Sequence, residues 1–150
     1  MRSTPLRWPT ELPVVLIDDL HAWCALWKTE GLVAEMSISL SRRMTSSLGR
    51  AHYRRKHIGL QHALIDPCAA DLLREVLCHE AAHLAAYELY GSKIRPHGRE
   101  WRTLLASAGF PPRVTIDSKS LPQNFRVKSA RRRRTRRSNP LKKLLRWIRG

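Results

Sequence analysis

Asp66-Pro67-Cys68-Ala69-Ala70-Asp71-Leu72-Leu73-Arg74-Glu75-Val76-Leu77-Cys78-His79-Glu80-Ala81-Ala82-His83-Leu84-Ala85-Ala86-Tyr87-Glu88-Leu89-Tyr90-Gly91 is the stretch whose reading decides the fold. Asp66 is an N-cap acid and Pro67 suits a first helical position, where no amide hydrogen is needed. Apolar residues then run through Leu72, Leu73, Val76, Leu77, Leu84 and Tyr87 to Leu89, and Gly91 supplies a C-cap. So much of the circumference is apolar that the segment predicts a long, buried central helix.

Working outward, Ser92 to Pro96 reads as a loop, and Arg99 to Ala108 as a short helix with Trp101, Leu104, Leu105 and Ala108 on one face. Gly109-Phe110-Pro111-Pro112 stops it. Upstream, Asp18 to Thr29 carries Leu20, Trp23, Cys24 and Trp27 at helical spacing, with Gly31 as the expected C′ residue. Between them lie three stretches of strand-like content, 32–40, 43–53 and 56–65. Their brevity and partial alternation predict a small antiparallel meander.

The chemistry sits in His79-Glu80-Ala81-Ala82-His83. Histidines at i and i+4 lie one turn apart on the same helix face, so both imidazoles reach one metal ion. Glu80 is rotated about 100° from His79, away from direct ligation and toward a water beside the metal. Zinc lowers the pKa of such a water toward ~7, and a carboxylate there serves as general base. A chance match on a core helix is the competing reading, but two buried histidines without a partner are costly. A catalytic zinc site takes three protein ligands and keeps one open position. His97, 14 residues after His83 and just before the next helix, is the leading third ligand, with Gly98 permitting close backbone approach. Glu100 is its rival, either replacing or assisting it. Glu88 falls on the wrong face, and His21, His52, His57 and His62 read as surface or packing residues.

These residues resemble a known family. His79-Glu80-Ala81-Ala82-His83 followed by Pro96-His97-Gly98-Arg99-Glu100-Trp101 is similar to the two-part histidine motif of the SprT-like zinc metalloproteases, the group that includes Spartan-type DNA–protein crosslink proteases. Ser41-Arg42-Arg43-Met44, Leu48-Gly49-Arg50-Ala51 and Ile58-Gly59-Leu60 resemble that family's strands before the helix. The resemblance covers about 20–112. It implies zinc ligation by His79, His83 and His97 with Glu80 as general base, one zinc per chain, and hydrolysis of protein bound or crosslinked to DNA. Many members add a C-terminal zinc ribbon with paired CxxC motifs; this chain has none.

In place of a ribbon there is charge. The 150 residues are 43% hydrophobic and carry a formal net charge of +16. Residues 1–112 account for +3 of it and residues 113–150 for +13. That division predicts a metalloprotease domain over 1–112 and a cationic tail over 113–150, largely disordered or in short helix. Arg131, Arg132, Arg133, Arg134, Arg136 and Arg137 form a block too repulsive to pack, suited to phosphates of DNA or RNA. Phe125 and Trp147 are its only aromatics, so base stacking would be sparse. Residues 141–149 have the pattern of a short cationic amphipathic helix, with weak contact to an anionic membrane or a partner as a lesser role.

Other classes fall away. No apolar run approaches the ~18–20 residues of a membrane helix, since Val14-Val15-Leu16-Ile17 is stopped by Asp18-Asp19. No signal-peptide pattern opens the chain, and Cys24, Cys68 and Cys78 form no CxxC pair, so a cytoplasmic location is expected. The expectation is therefore an α+β, zincin-like domain whose small antiparallel sheet packs on the HExxH helix, acting as a zinc-dependent peptidase on nucleic-acid-associated protein. Two alternatives remain at this stage: a nucleic-acid-binding protein with a structural metal site, and a zinc hydrolase acting on small molecules or peptides.

Overall fold

The computed structural model describes residues 7–115. The arginine block at 131–137 and the amphipathic stretch at 141–149 lie outside them. The elements, in order, are helix α1 (Val14–Leu26), helix α2 (Glu30–Glu35), strand β1 (Ser37–Ser41), strand β2 (Gly49–His52), strand β3 (His57–Gln61), helix α3 (Ala70–Tyr90) and helix α4 (Arg99–Ser107). The class is α+β, as expected.

α3 begins as the sequence predicts, with one refinement. The Asp66 carboxylate accepts from the Cys68 backbone N–H at 2.9 Å, and Pro67–Ala69 form a single 3₁₀ turn that feeds the α-helix. Gly91 ends the helix at φ 76°, its N–H donating to Tyr87 O at 2.8 Å. Leu72, Leu73, Val76, Leu77, Ala81, Ala82, Leu84 and Ala85 are all buried, so α3 is the centre of the core. α1, α4 and the sheet pack around it.

The sheet corrects the expected antiparallel meander. It is mixed, in the order β1-β3-β2: β1 pairs parallel with β3, Ile38 opposite Ile58, and β2 pairs antiparallel with β3, Ala51 opposite Ile58. A meander would put β2 in the middle. β2 is four residues of alternating partial exposure, which suits an edge, whereas Ile58, Gly59 and Leu60 of β3 are all buried. The chain reverses once between β1 and β2 and again before β3, which returns β3 to the direction of β1.

Two further boundaries differ. α1 is closed by Lys28 in the left-handed region (φ 58°), with Thr29 N–H donating to Cys24 O at 2.8 Å. Gly31, the expected stop, lies inside α2, and α2 takes the first part of the stretch read as a strand over 32–40. Likewise, only Gly49–His52 of the 43–53 stretch is strand, and 62–65 is a 3₁₀ turn.

Cross-ties fix the helices. Trp27 Nε1–H donates to Leu104 O at 2.9 Å in the core, joining α1 to α4. The Arg74 guanidinium pairs with Asp19 at 2.6 Å and stands 5.6 Å from the Trp23 ring centroid and 5.2 Å from that of Phe110. Cys24 and Cys78 are buried and free, filling the role of small apolar residues. Among the described residues no helix is long and apolar enough to cross a membrane.

Candidate metal centre

Three histidines converge where α3 meets the loop before α4. His79 and His83 stand one turn apart on α3, and His97 descends from the loop, its Nε2 lying 3.2 Å from His79 Nε2 and 3.0 Å from His83 Nε2. The three ligand atoms lie within 4.8 Å of one another, and among the described residues this is the only such cluster of metal-ligating side chains. Glu100, the rival ligand, is outside it, as is Glu80. The remaining histidines are placed elsewhere; His57 bonds the hydroxyls of Ser37 and Ser39 at 2.8 and 2.9 Å. Glu88 pairs with Lys56.

The local fold explains how His97 gets there. It adopts a left-handed conformation, φ 59°, which costs a non-glycine residue about 1 kcal/mol. The next residue closes a tight turn: Gly98 N–H donates to Arg95 O at 2.9 Å, and a Cβ on Gly98 would stand 2.8 Å from that same oxygen. Only glycine fits there. Arg102 holds the His97 carbonyl through its Nε at 3.1 Å. Beneath the loop, Trp101 is buried; its indole N–H donates to His79 O at 3.1 Å and its ring stacks on His83 at 5.2 Å. One tryptophan therefore supports ligand candidates from both elements.

The donor set fits a metal ion. Nitrogen ligands at 2.0–2.1 Å on a tetrahedron stand about 3.3 Å apart, close to the separations seen here. Burial pushes the imidazole of His79 down to about 4 and that of His83 to about 3, with neighbouring histidines adding to the effect. Burial and then Arg102 lower His97 as well. All three are neutral near pH 7, and three neutral rings meeting edge to edge cannot all satisfy one another by hydrogen bonding. A shared cation satisfies every lone pair.

Glu80 occupies a different niche. It is buried between α3 and β2, where burial pushes its carboxyl up to about 7, partly offset by a hydrogen bond from the Ala51 backbone and by Arg50. Gly49 makes the room: a Cβ there would lie 2.7 Å from Glu80 Cγ and 2.8 Å from its Oε1. In the sequence Gly49 stands only within a stretch that resembles a family strand, with no sign of this contact.

Beside the histidines opens a cleft of about 570 Å³, bounded in part by His83 and Trp101 and by Tyr53 and Tyr87. Tyr53 was missed in the sequence. It stacks on Tyr87 at 5.1 Å, stands edge-on to His83 at 6.4 Å, and has its phenol raised by burial and by the Glu80 charge. No local spacing marked it, because its place in the site comes from the β2–β3 pairing. Tyr90, the other tyrosine near the motif, is exposed.

The SprT-like family matches residues 17–120. The chain is similar to Protein SprT of Pseudomonas savastanoi pv. phaseolicola, 39% identical over 57 residues, which is 38% of this chain and 35% of that protein. It is similar also to Protein SprT of Vibrio parahaemolyticus serotype O3:K6, 41% identical over 59 residues (39% and 35%), and of Pseudomonas aeruginosa, 46% over 41 residues (27% and 25%). These matches span about a third or less of the relatives' length. No solved structure matches the chain.

Proposed function

The chain belongs to the SprT-like family, and from that premise we propose that it is a zinc-dependent metallopeptidase. The observation that carries the reading is the convergence of His79, His83 and His97 within 4.8 Å, with Glu80 buried beside them but outside the cluster. His79, His83 and His97 would hold one zinc ion per chain. Bound there, zinc supplies Lewis acidity, polarising a carbonyl and bringing a water's pKa near neutrality. Glu80, buried beside the histidines and outside their cluster, takes a proton from the attacking water and delivers it to the departing amide nitrogen. Trp101, against the His97 ring, and Arg102, on its carbonyl, keep His97 in place while this happens. The cleft beside the histidines admits the polypeptide.

The tail supplies location in this proposal. Arg131, Arg132, Arg133, Arg134, Arg136 and Arg137 would bind DNA or RNA phosphates without sequence preference and bring the peptidase to protein held there, in the cytoplasm. Contact of residues 141–149 with an anionic membrane or a partner is a secondary proposal.

Zinc content of the wild type and His97→Ala, measured side by side, tests the centre. One zinc per chain, lost or much weakened in the variant, supports a three-histidine site with an open position. Zinc held equally well by His97→Ala would assign the third ligand elsewhere, and no zinc uptake by the wild type would overturn the proposal.

A further inference from the structure

The cleft beside the histidines has a chemical character that catalysis does not explain. Its apolar lining includes the stacked rings of Tyr53 and Tyr87 and Ile94 of the 92–96 loop. The rim is cationic: Arg54 and Arg55 rise from the β2–β3 connection and Arg95 from the loop that carries His97. All three are exposed, and none makes an ion pair among the described residues. Among the described residues no Asp or Glu lines the cleft. Glu35 and Glu88 are both taken by Lys56, at 2.7 and 3.3 Å, and Glu80, whose charge acts on Tyr53, is buried and makes no ion pair with a rim arginine. The rim charge is therefore not neutralised from within the described fold. The chain's own tail carries +13 over 113–150 and would be repelled from the cleft.

From this complementarity we propose that the cleft is a specificity subsite for an acidic residue, Asp or Glu, of the protein substrate close to the scissile bond. The proposal rests on the peptidase reading of the three-histidine centre, with which the cleft shares His83 and Trp101. The substrate side chain's aliphatic stem lies along Tyr53 and Tyr87, and its carboxylate meets Arg54, Arg55 and Arg95. A volume of about 570 Å³ suits one or two side chains. Guanidinium groups suit a carboxylate because their planar donors match its two oxygens.

Two measurements on the full chain test it. In the first, the zinc-loaded wild type is given peptides in which a single Glu is walked across positions flanking the cleaved bond, each paired with a Gln peptide. At one position kcat/KM for Glu should exceed that for Gln by about tenfold. Arg55→Glu combined with Arg95→Glu should remove that preference and turn it toward a Lys peptide. Lys93→Glu, a single reversal at an exposed residue of the same loop outside the cleft, should leave it intact, whereas Arg95→Glu alone should already weaken it. A loss as large in Lys93→Glu would show a long-range charge effect and overturn the proposal. Equal cleavage of Glu and Gln peptides at every position would overturn it too, while leaving the peptidase reading standing. In the second, Glu80→Gln protein is titrated with the same labelled peptides at equilibrium. Tighter binding of the Glu peptide, lost in the double arginine variant, supports the subsite without relying on turnover. If that binding preference held while no peptide was cleaved by the zinc-loaded wild type, the peptidase reading would fail and the acidic selectivity of the cleft would stand. A short single-stranded oligonucleotide that displaced the acidic peptide from Glu80→Gln protein, with binding abolished by the double arginine reversal, would assign the rim to phosphates and contradict the proposal.

Discussion

Trp101 donates its indole N–H to the backbone carbonyl of His79 at 3.1 Å, so the helix after the His97 loop is bonded directly to the helix that carries His79 and His83. The same ring lies under His83 and against His97, at centroid separations of 5.2 and 4.8 Å. The spacing of the three imidazoles is thus set by a side chain that is not itself a ligand candidate.

Trp101→Phe keeps an aromatic platform and removes the hydrogen bond. We expect a stability loss of about 1–2 kcal/mol by denaturant unfolding and metal affinity weakened by about 10–100-fold in competition with a chelator. Unaltered affinity would mean that the Arg95–Gly98 turn and Arg102 position His97 without help.

Gly49→Ala places a methyl group 2.7 Å from Glu80 Cγ and 2.8 Å from a methyl carbon of Val76. Both neighbours are on the buried face of α3, so β2 or the Glu80 carboxylate must shift. The expected cost is about 1–3 kcal/mol, with metal content kept and hydrolysis reduced. Full hydrolysis in this variant would show that the position of Glu80 tolerates displacement.

The carboxyl of Glu80 is raised above its unfolded value, so the folded, metal-free protein binds a proton there that the unfolded chain releases. That contribution favours the fold at low pH and is lost as pH rises from about 4.5 to about 7. His79 and His83 act in the opposite sense, since they resist protonation in the fold and destabilise it as pH falls below 6.5. Comparing metal-free wild type with metal-free Glu80→Gln isolates the first effect. The variant should gain stability relative to the wild type between pH 5 and pH 8, by an amount on the order of 2–3 kcal/mol. Parallel pH curves for the two proteins would contradict a carboxyl raised by burial.

Nucleic-acid binding through the tail should be salt-driven. With about six phosphates contacted by the arginine block, affinity for duplex DNA should fall by about 10³ between 50 and 200 mM salt, without regard to sequence. Protein truncated after residue 115 should lose that binding, as read by fluorescence anisotropy. A flat salt response, or full binding by the truncated chain, would remove the tail from the account.

What the sequence made legible was local. Asp66, Pro67 and Gly91 mark the ends of the central helix through backbone chemistry within one turn, and His79 and His83 share a face because of helical spacing alone. His97 was reachable because Gly98 and Trp101 follow it closely in the chain. The direction of β1 relative to β3 was not legible, because strand pairing depends on which strand is apolar enough to lie in the middle. Ile58, Gly59 and Leu60 decide that only in competition with β2. Lys28 replaced Gly31 as the helix stop because Thr29 N–H reaches the carbonyl of Cys24 once Lys28 turns left-handed, a local closure that a non-glycine residue also makes. Tyr53 and the Gly49–Glu80 contact were invisible because both arise where β2 and the turn after it lie across α3.

The most direct test of the central claim is hydrolysis of a protein substrate by zinc-loaded Glu80→Gln, with zinc content measured on the same sample. We predict one zinc per chain, as in the wild type, with hydrolysis lowered by about 10²–10⁴-fold. Hydrolysis at the wild-type rate by a fully zinc-loaded variant would contradict the assignment of Glu80 as the general base, and with it the peptidase mechanism argued from this site.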